Sequence, residues 1–189
     1  AASQPVLTVQ GLSLRDSSGV ARLDQVSLNV SRGEIVGVAG VEGNGQSELG
    51  AILAGMTSPT AGRFAVNGIE LAGRPPKAVT AAGVGVVPED RHLVASIPAM
   101  SLAENLYLNR LGTFRRYGML DRSALRNAAL ELMRQFDVRA AAPDAAFSSL
   151  SGGNQQKAIL GRELGTPDLS LLVAAQPTRG REAVASMFV

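Results

Sequence analysis

A glycine-rich loop near residue 40 is the first part of the sequence that could do chemistry. Residues 40–47 read Gly-Val-Glu-Gly-Asn-Gly-Gln-Ser, and we call them the phosphate loop. They match the phosphate-binding spacing G-x-x-x-x-G-K-[ST] at every fixed position except the lysine, where Gln46 stands. Glycines let successive backbone N–H groups point inward, and a following helix N-terminus adds partial positive charge. The loop therefore predicts an anion-binding site, with the Ser47 hydroxyl placed to ligate Mg²⁺.

Without the lysine, this loop is predicted to bind an anion but not to support phosphoryl transfer. The Gln46 amide can donate a hydrogen bond, but it cannot offset the charge that develops on a transferred phosphoryl group. An ordinary glycine-rich turn is the alternative, but the continuous apolar strand predicted over Ile35–Ala39 favours the phosphate loop because the motif requires such a strand. The residues predicted to contact nucleotide are Gly40, Gly43, Asn44, Gly45, Gln46, Ser47 and Glu48.

A second glycine motif, at residues 150–157, reads Leu-Ser-Gly-Gly-Asn-Gln-Gln-Lys. It resembles the ABC transporter signature LSGGQ, with Asn154 in place of the first glutamine; we call residues 150–154 the signature segment. The resemblance implies that Ser151, the amides of Gly152 and Gly153, and the helix N-terminus clamp the γ-phosphate of ATP held by the phosphate loop of a second domain. Leu150 completes the motif. A simple loop and helix cap is disfavoured because a phosphate loop lies upstream.

The resemblance runs from about Val6 to Gly180. Residues 87–91 take the place of the Q-loop, with Glu89 where glutamine is usual. The motifs together are similar to the C-terminal half of the tandem ATPases of simple-sugar and nucleoside importers, with the nucleoside branch closer. This implies ATP and Mg²⁺ as cofactors, a second, head-to-tail ABC domain and transmembrane permease subunits as partners, and a cytoplasmic, peripheral location on the inner face of the cell membrane.

Several catalytic features of the family are missing from this chain. At the end of the predicted strand Leu169–Ala175, the Walker B aspartate and catalytic glutamate of the family are replaced by Ala175 and Gln176. Neither can support a metal-bound water or accept a proton as a carboxylate does. Together with Gln46, these losses predict that hydrolysis at this site is close to background.

Other expected features also differ from the family. After Gly180 the sequence lacks the aspartate-bearing D-loop and the switch histidine, so it reads as truncated before them. The single histidine, His92, is predicted to be a surface residue. No aromatic residue near Arg15 or Asp16 is placed to stack on adenine, which predicts weak nucleotide affinity.

Three functions follow as hypotheses. The first is the degenerate half of an asymmetric ABC pair, which holds nucleotide and donates its signature segment to a competent partner site. The second is an inactive truncated ABC fragment. The third, a stand-alone phosphotransferase with a phosphate loop, is disfavoured because such an enzyme needs the lysine and has no use for a signature segment.

Composition excludes other classes of protein. The 189 residues carry a net charge of +2 without a basic face, which argues against nucleic-acid binding. The absence of cysteine excludes disulfides and thiolate metal sites. No apolar run approaches the roughly 20 residues that cross a bilayer, and the first ten residues lack a leader pattern, so a membrane role is expected to come through a partner.

The pattern of elements predicts an α/β fold, a P-loop NTPase-like ABC nucleotide-binding domain over residues 1–180. It is expected to contain an antiparallel β layer and an inserted α-helical subdomain at about residues 100–150, followed by an atypical tail over residues 181–189. Ser101 and Glu104 have the spacing of a capping box, and Asp121 is predicted to cap a helix over 124–136. The predicted strands and helices are otherwise Val6–Val9, Val26–Val30, Ser47–Leu53, Arg63–Asn67, Pro75–Ala82, Val84–Val87 and Gln155–Leu164.

Overall fold

The computed structural model describes residues 5–41, 43–88 and 95–175. These residues divide into two compact units, one made of the residues up to Val86 with Pro167–Ala175, and the other of Val87–Thr166. The strands are β1 (Pro5–Arg15), β2 (Ala21–Ser31), β3 (Ala61–Val66), β4 (Ile69–Glu70), β5 (Val84–Val87), β6 (Arg115–Arg116), β7 (Met119–Leu120) and β8 (Leu171–Ala174). The helices are α1 (Gln46–Leu53), α2 (Pro76–Ala81), α3 (Leu102–Leu106), α4 (Arg122–Gln135) and α5 (Gly152–Leu164).

The first unit is built on an antiparallel sheet of order β2-β1-β3-β4. Leu7, Val9 and Leu12 of β1 are buried with Phe64 of β3, and the register of β1 shifts between Val9 and Leu12. Ile52 of α1 belongs to the same core. The antiparallel pairing confirms the predicted β layer, and in β2 the alternating residues Val26, Leu28 and Val30 turn toward the core. A separate two-stranded sheet pairs β5 with β8.

The strand predicted over Ile35–Ala39 is wrong. Residues 34–41 form no strand in the structure, although the helix that should follow the phosphate loop does form as α1. The side chains of Ile35 and Val41 are 75% and 74% exposed. An apolar run becomes a strand only when a neighbouring backbone pairs with it, and β5 and β8 pair with each other in this unit.

The second unit packs α3, α4 and α5 around an apolar core. The helical reading of residues 101–136 is correct at its two ends and wrong in the middle. A 3₁₀ turn (Leu111–Phe114) and the hairpin β6–β7 separate α3 from α4. Tyr117 and Gly118 both have positive φ and form the turn of this hairpin. The core residues include Leu102, Leu106, Leu125, Ala129, Leu132, Phe147, Ala158 and Ile159.

Buried polar residues organise the segment that precedes α3. The Asn105 carboxamide accepts the Ile97 N–H at 2.8 Å and donates to the Ile97 and Ser101 carbonyls, each at 3.0 Å. Arg162 of α5, also buried, donates from Nη1 to the Ala95 carbonyl at 2.7 Å and from Nε to the Glu163 carboxylate at 2.7 Å. Satisfied buried polar groups of this kind hold a loop in one arrangement.

Both predicted helix caps are confirmed. The Ser101 hydroxyl and N–H donate to the Glu104 carboxylate at 2.7 and 2.9 Å, and the Ser101 Oγ accepts the Glu104 N–H at 3.2 Å. The Asp121 side chain accepts the Ala124 N–H at 2.9 Å, so α4 begins at Arg122, two residues before the predicted start.

The capping box predicts a pH effect on stability. The Ser101 hydroxyl and then its N–H lower the pKa of Glu104 below its ordinary 4.5, against the opposing effect of burial. A depressed folded-state pKa gives stability that is present above the unfolded-state pKa and lost as pH falls through the folded-state value. We expect the urea midpoint of Glu104→Gln to fall less than that of wild type as pH drops below 4.5.

The exposed Glu131→Gln variant is the control for this measurement, and it should keep the wild-type pH dependence. Equal slopes for Glu104→Gln and wild type would contradict the assignment.

Candidate functional site

The phosphate loop is shaped by two glycines in the left-handed region and by bonds within the loop. Gly43 and Gly45 have φ of 88° and 98°, conformations that glycine adopts without steric cost. The Asn44 N–H donates to the Val41 carbonyl at 3.2 Å, and the Leu49 N–H donates to the Gly45 carbonyl at 2.9 Å. The loop therefore runs directly into α1, as the spacing predicts.

Gln46 lies back across the phosphate loop. Its Nε2 donates to the Val41 carbonyl at 3.2 Å and lies close to the Cα of Gly40, where a Cβ would collide with it. The amide thus stabilises the loop itself.

The N-terminus of α1 is suited to an anion. Gly45 is its N-cap and has no side chain to occupy the first N–H groups, and Ser47 in the first turn is exposed. Unoccupied N–H groups at a helix start carry partial positive charge, which favours phosphate. Glu48 also lies in this first turn, and its carboxylate partly offsets that charge.

The structure offers few ligands for Mg²⁺. The Ser47 hydroxyl is an oxygen ligand of the right chemistry for this cation. In the described part of the chain, no three His, Cys, Asp or Glu side chains group together as a metal site. Ser47 could hold Mg²⁺ at this loop beside the phosphates of a nucleotide.

The described residue that follows β8 carries no carboxylate. Ala175 follows β8 directly and is partly buried. Gln176, the second position of the degenerate Walker B pair, lies outside the described residues, as do Glu89 of the Q-loop, His92 and residues 181–189.

The signature segment forms the start of α5. Ser151 is the N-cap, and α5 begins at Gly152, three residues before the predicted start. Ser151, Gly152 and Gly153 are exposed, while Leu150 is buried as an anchor. A Cβ at Gly153 would meet nothing within 4 Å, so packing inside this chain does not require glycine there.

Asn154 ties the signature segment to its own unit. Its Nδ2 donates to Ser151 Oγ at 3.0 Å, and its Oδ1 accepts the Arg139 N–H at 2.8 Å. Because the Ser151 oxygen accepts bonds from Asn154, its own O–H stays available as a donor. The Asn154 side chain therefore orients the Ser151 hydroxyl and does not extend away from its own unit.

Two more α5 residues brace this end of the helix. Gln155 is buried and donates from Nε2 to the Leu150 carbonyl at 3.2 Å and the Phe147 carbonyl at 3.3 Å. Lys157 donates to the Asp137 carboxylate at 2.7 Å. This bond is the main cause that lowers the pKa of Asp137.

Sequence reasoning missed the roles of Asn154, Gln155 and Arg162. A signal was available for Arg162, since it stands at helical spacing from Ala158 and Ile159 on the buried face of α5. No periodicity signal identifies the partners of Asn154, because Arg139 lies in a separate loop.

Comparison with known proteins defines the class. The sequence profile of the family described as ABC transporter matches residues 23–173, most of the chain. The chain therefore belongs to the ABC transporter family.

Particular relatives are close over the whole chain. The nucleoside import ATP-binding protein NupA of Lactococcus lactis is 42% identical over 100% of this chain. The guanosine import ATP-binding protein NupO of Bacillus subtilis is 39% identical over 100% of it. The chain spans only 38% of the length of each of these two relatives.

Solved structures confirm the α/β P-loop NTPase-like ABC fold. A dimeric post-hydrolysis structure of the ATP-binding cassette MJ0796 with ADP and phosphate gives a TM-score of 0.73 at 24% identity, covering 92% of this chain and 75% of that one. At this identity the likeness establishes the fold alone.

Proposed function

We propose that this chain is an ATP-binding half of an importer for nucleosides or simple sugars, one that holds nucleotide with little turnover and donates its signature segment to a second ABC domain. The observation that carries this proposal is an asymmetry between the two motifs. The start of α5 is exposed and braced by Asn154, while Ala175 supplies no carboxylate after β8.

Nucleotide would be held by this chain at the phosphate loop. The N–H groups at the start of α1 and the Ser47 hydroxyl would bind the phosphates and Mg²⁺, and the glycines let the backbone approach them. The Gln46 amide is neutral and donates to the Val41 carbonyl, so this residue adds no charge against the outer phosphates. General acid–base help is worth about 10²–10⁴-fold in rate, so a site that lacks both this help and the charge of the lysine should turn over near background.

Two kinds of partner and a location follow from the family. A head-to-tail ABC domain would receive Ser151, Gly152 and Gly153, permease subunits would supply the path through the membrane, and the chain would sit against the inner face of that membrane. No helix in the described part of the chain is long and apolar enough to cross a bilayer itself.

Equilibrium binding of fluorescent ATP with Mg²⁺ tests the nucleotide-holding role. We expect saturable binding by the chain, loss of binding in Ser47→Arg, and no steady release of phosphate. The control is Ser123→Arg, an exposed serine on α4, which should bind like wild type. Turnover by the isolated chain that disappears in Ser47→Arg would contradict the proposal. A folded chain that binds no ATP would leave the signature-donating role or an inactive fragment.

Signature donation is tested by mixing the chain with a hydrolysis-competent ABC domain from a nucleoside importer. We expect the chain to raise the ATPase rate of that domain and Ser151→Arg to remove the increase. Ser149→Arg, at an exposed serine two positions earlier, is the matched control. An equal increase with Ser151→Arg and wild type would count against donation.

A further inference from the structure

The hairpin β6–β7 projects an exposed aromatic tip from the second unit. Its two-residue turn, Tyr117–Gly118, has φ of 51° and 83°, which matches the twist that short hairpins require. Tyr117 is 90% exposed and Met119 is 73% exposed. Two large side chains are thus presented to solvent at a site with defined backbone geometry.

The base of the hairpin is anchored while its tip is not covered. The Phe114 ring packs edge-on against Tyr107 with centroids 4.8 Å apart. The Asp121 N–H donates to the Phe114 carbonyl at 2.8 Å, which closes the hairpin below Leu120. These contacts at its base therefore fix the position of the hairpin that carries the exposed tip.

The sequence around this tip carries more basic than acidic residues. Residues 107–130 contain five arginines and one acidic residue, Asp121. Three of the arginines have partners nearby: Arg110 donates to Gly165, and Arg122 and Arg126 face Glu104 and Asp144. In the part of the chain that the structure describes, no ion pair joins Arg115 or Arg116 to an acidic residue, and the Arg116 guanidinium lies 5.5 Å from the Tyr117 ring centroid.

We propose that the β6–β7 hairpin docks on an anionic phospholipid surface. Guanidinium groups pair with phosphate oxygens, and tyrosine rings settle at the level of lipid headgroups. A stable protein interface buries about 800 Å² per partner, which a hairpin tip of a few residues does not provide. A bilayer sets no such minimum area. Tyr117 and Met119 enter the interface, with Arg115 and Arg116 against the phosphates.

Sedimentation with lipid vesicles tests the proposal on the full chain. We expect binding to vesicles of equal parts phosphatidylcholine and phosphatidylglycerol, and little binding to pure phosphatidylcholine. The double variant Arg115→Gln/Arg116→Gln should lower the partition coefficient about 30-fold, from the usual contribution of a basic residue at an anionic surface. Tyr117→Asn keeps the left-handed turn, because asparagine tolerates positive φ, and should lower it several-fold.

The matched control is Arg63→Gln/Arg134→Gln, which removes the same charge from exposed positions outside the hairpin. It should bind vesicles like wild type, and thermal melting should show all variants folded. Absence of wild-type binding, or equal losses in the hairpin and control variants, would overturn the proposal. Binding that survives in the hairpin variant would overturn it as well. None of these vesicle-binding and melting measurements requires nucleotide.

Discussion

Gly45→Ala is expected to abolish ATP binding and to destabilise the chain. A Cβ at this position would lie 2.6 Å from the Arg22 carbonyl oxygen and 2.7 Å from Leu23 Cδ2. The φ of 98° is also one that an L side chain adopts only with strain. Left-handed backbone costs about 1–2 kcal/mol for a non-glycine residue, and overpacking adds about 1–3 kcal/mol.

This strain should displace the N-terminus of α1 from the phosphate loop that precedes it. Because the N–H groups there form the proposed phosphate site, nucleotide affinity should fall together with stability. Urea denaturation gives the free energy of unfolding, and fluorescent ATP titration at low temperature gives the affinity of the folded fraction.

The matched control is Gly50→Ala in the interior of α1. A Cβ there meets nothing within 4 Å, and alanine in a helix is more stable than glycine by about 0.5–1 kcal/mol. Gly50→Ala should therefore be slightly stabilised and bind ATP as before. A Gly45→Ala chain that is as stable as wild type and binds ATP equally would show that this loop geometry is not required.

Arg162→Met is expected to destabilise the second unit severely. It removes the guanidinium from the buried Glu163 carboxylate and from the Ala95 carbonyl. Breaking a buried ion pair from one side costs about 3–5 kcal/mol, because the remaining charge stays in a poorly solvated place. The loss should appear as a lower urea midpoint, and protease cleavage near Ala95 should become faster.

Two variants separate the ion pair from simple packing. Arg162→Met/Glu163→Leu removes both charges, and it should recover part of the loss because an apolar replacement of a buried pair is often neutral. Arg134→Met removes an arginine from an exposed pair with Glu131 and should cost less than about 1 kcal/mol. If Arg162→Met were no more destabilised than Arg134→Met, the buried network would have no structural role.

Local patterns in the sequence predicted the elements that depend on neighbours along the chain. The alternation in β2, the glycine spacing before α1 and the cap residues Ser101 and Asp121 all act within a few residues. Their outcome can therefore be predicted without knowledge of the fold. The same holds for the family motifs, which predicted the ABC fold.

Tertiary structure decided what depends on distant partners. Ile35–Ala39 has the composition of a strand, but a strand also needs a paired backbone, and residues 34–41 form none. The short hairpin at Tyr117–Gly118 lay hidden inside a helical pattern, because its turn carries no asparagine or aspartate signal.

The same distinction between local sequence and tertiary structure applies to the candidate site. The sequence by itself determined which groups stand at the phosphate loop and the signature segment, including the missing carboxylate at Ala175. Only the tertiary structure decided where side chains point: Gln46 back to Val41, Asn154 to Ser151 and Arg139, and Arg162 inward to Ala95. Residue types set what chemistry is possible, while hydrogen-bond partners far apart in the chain are chosen by packing.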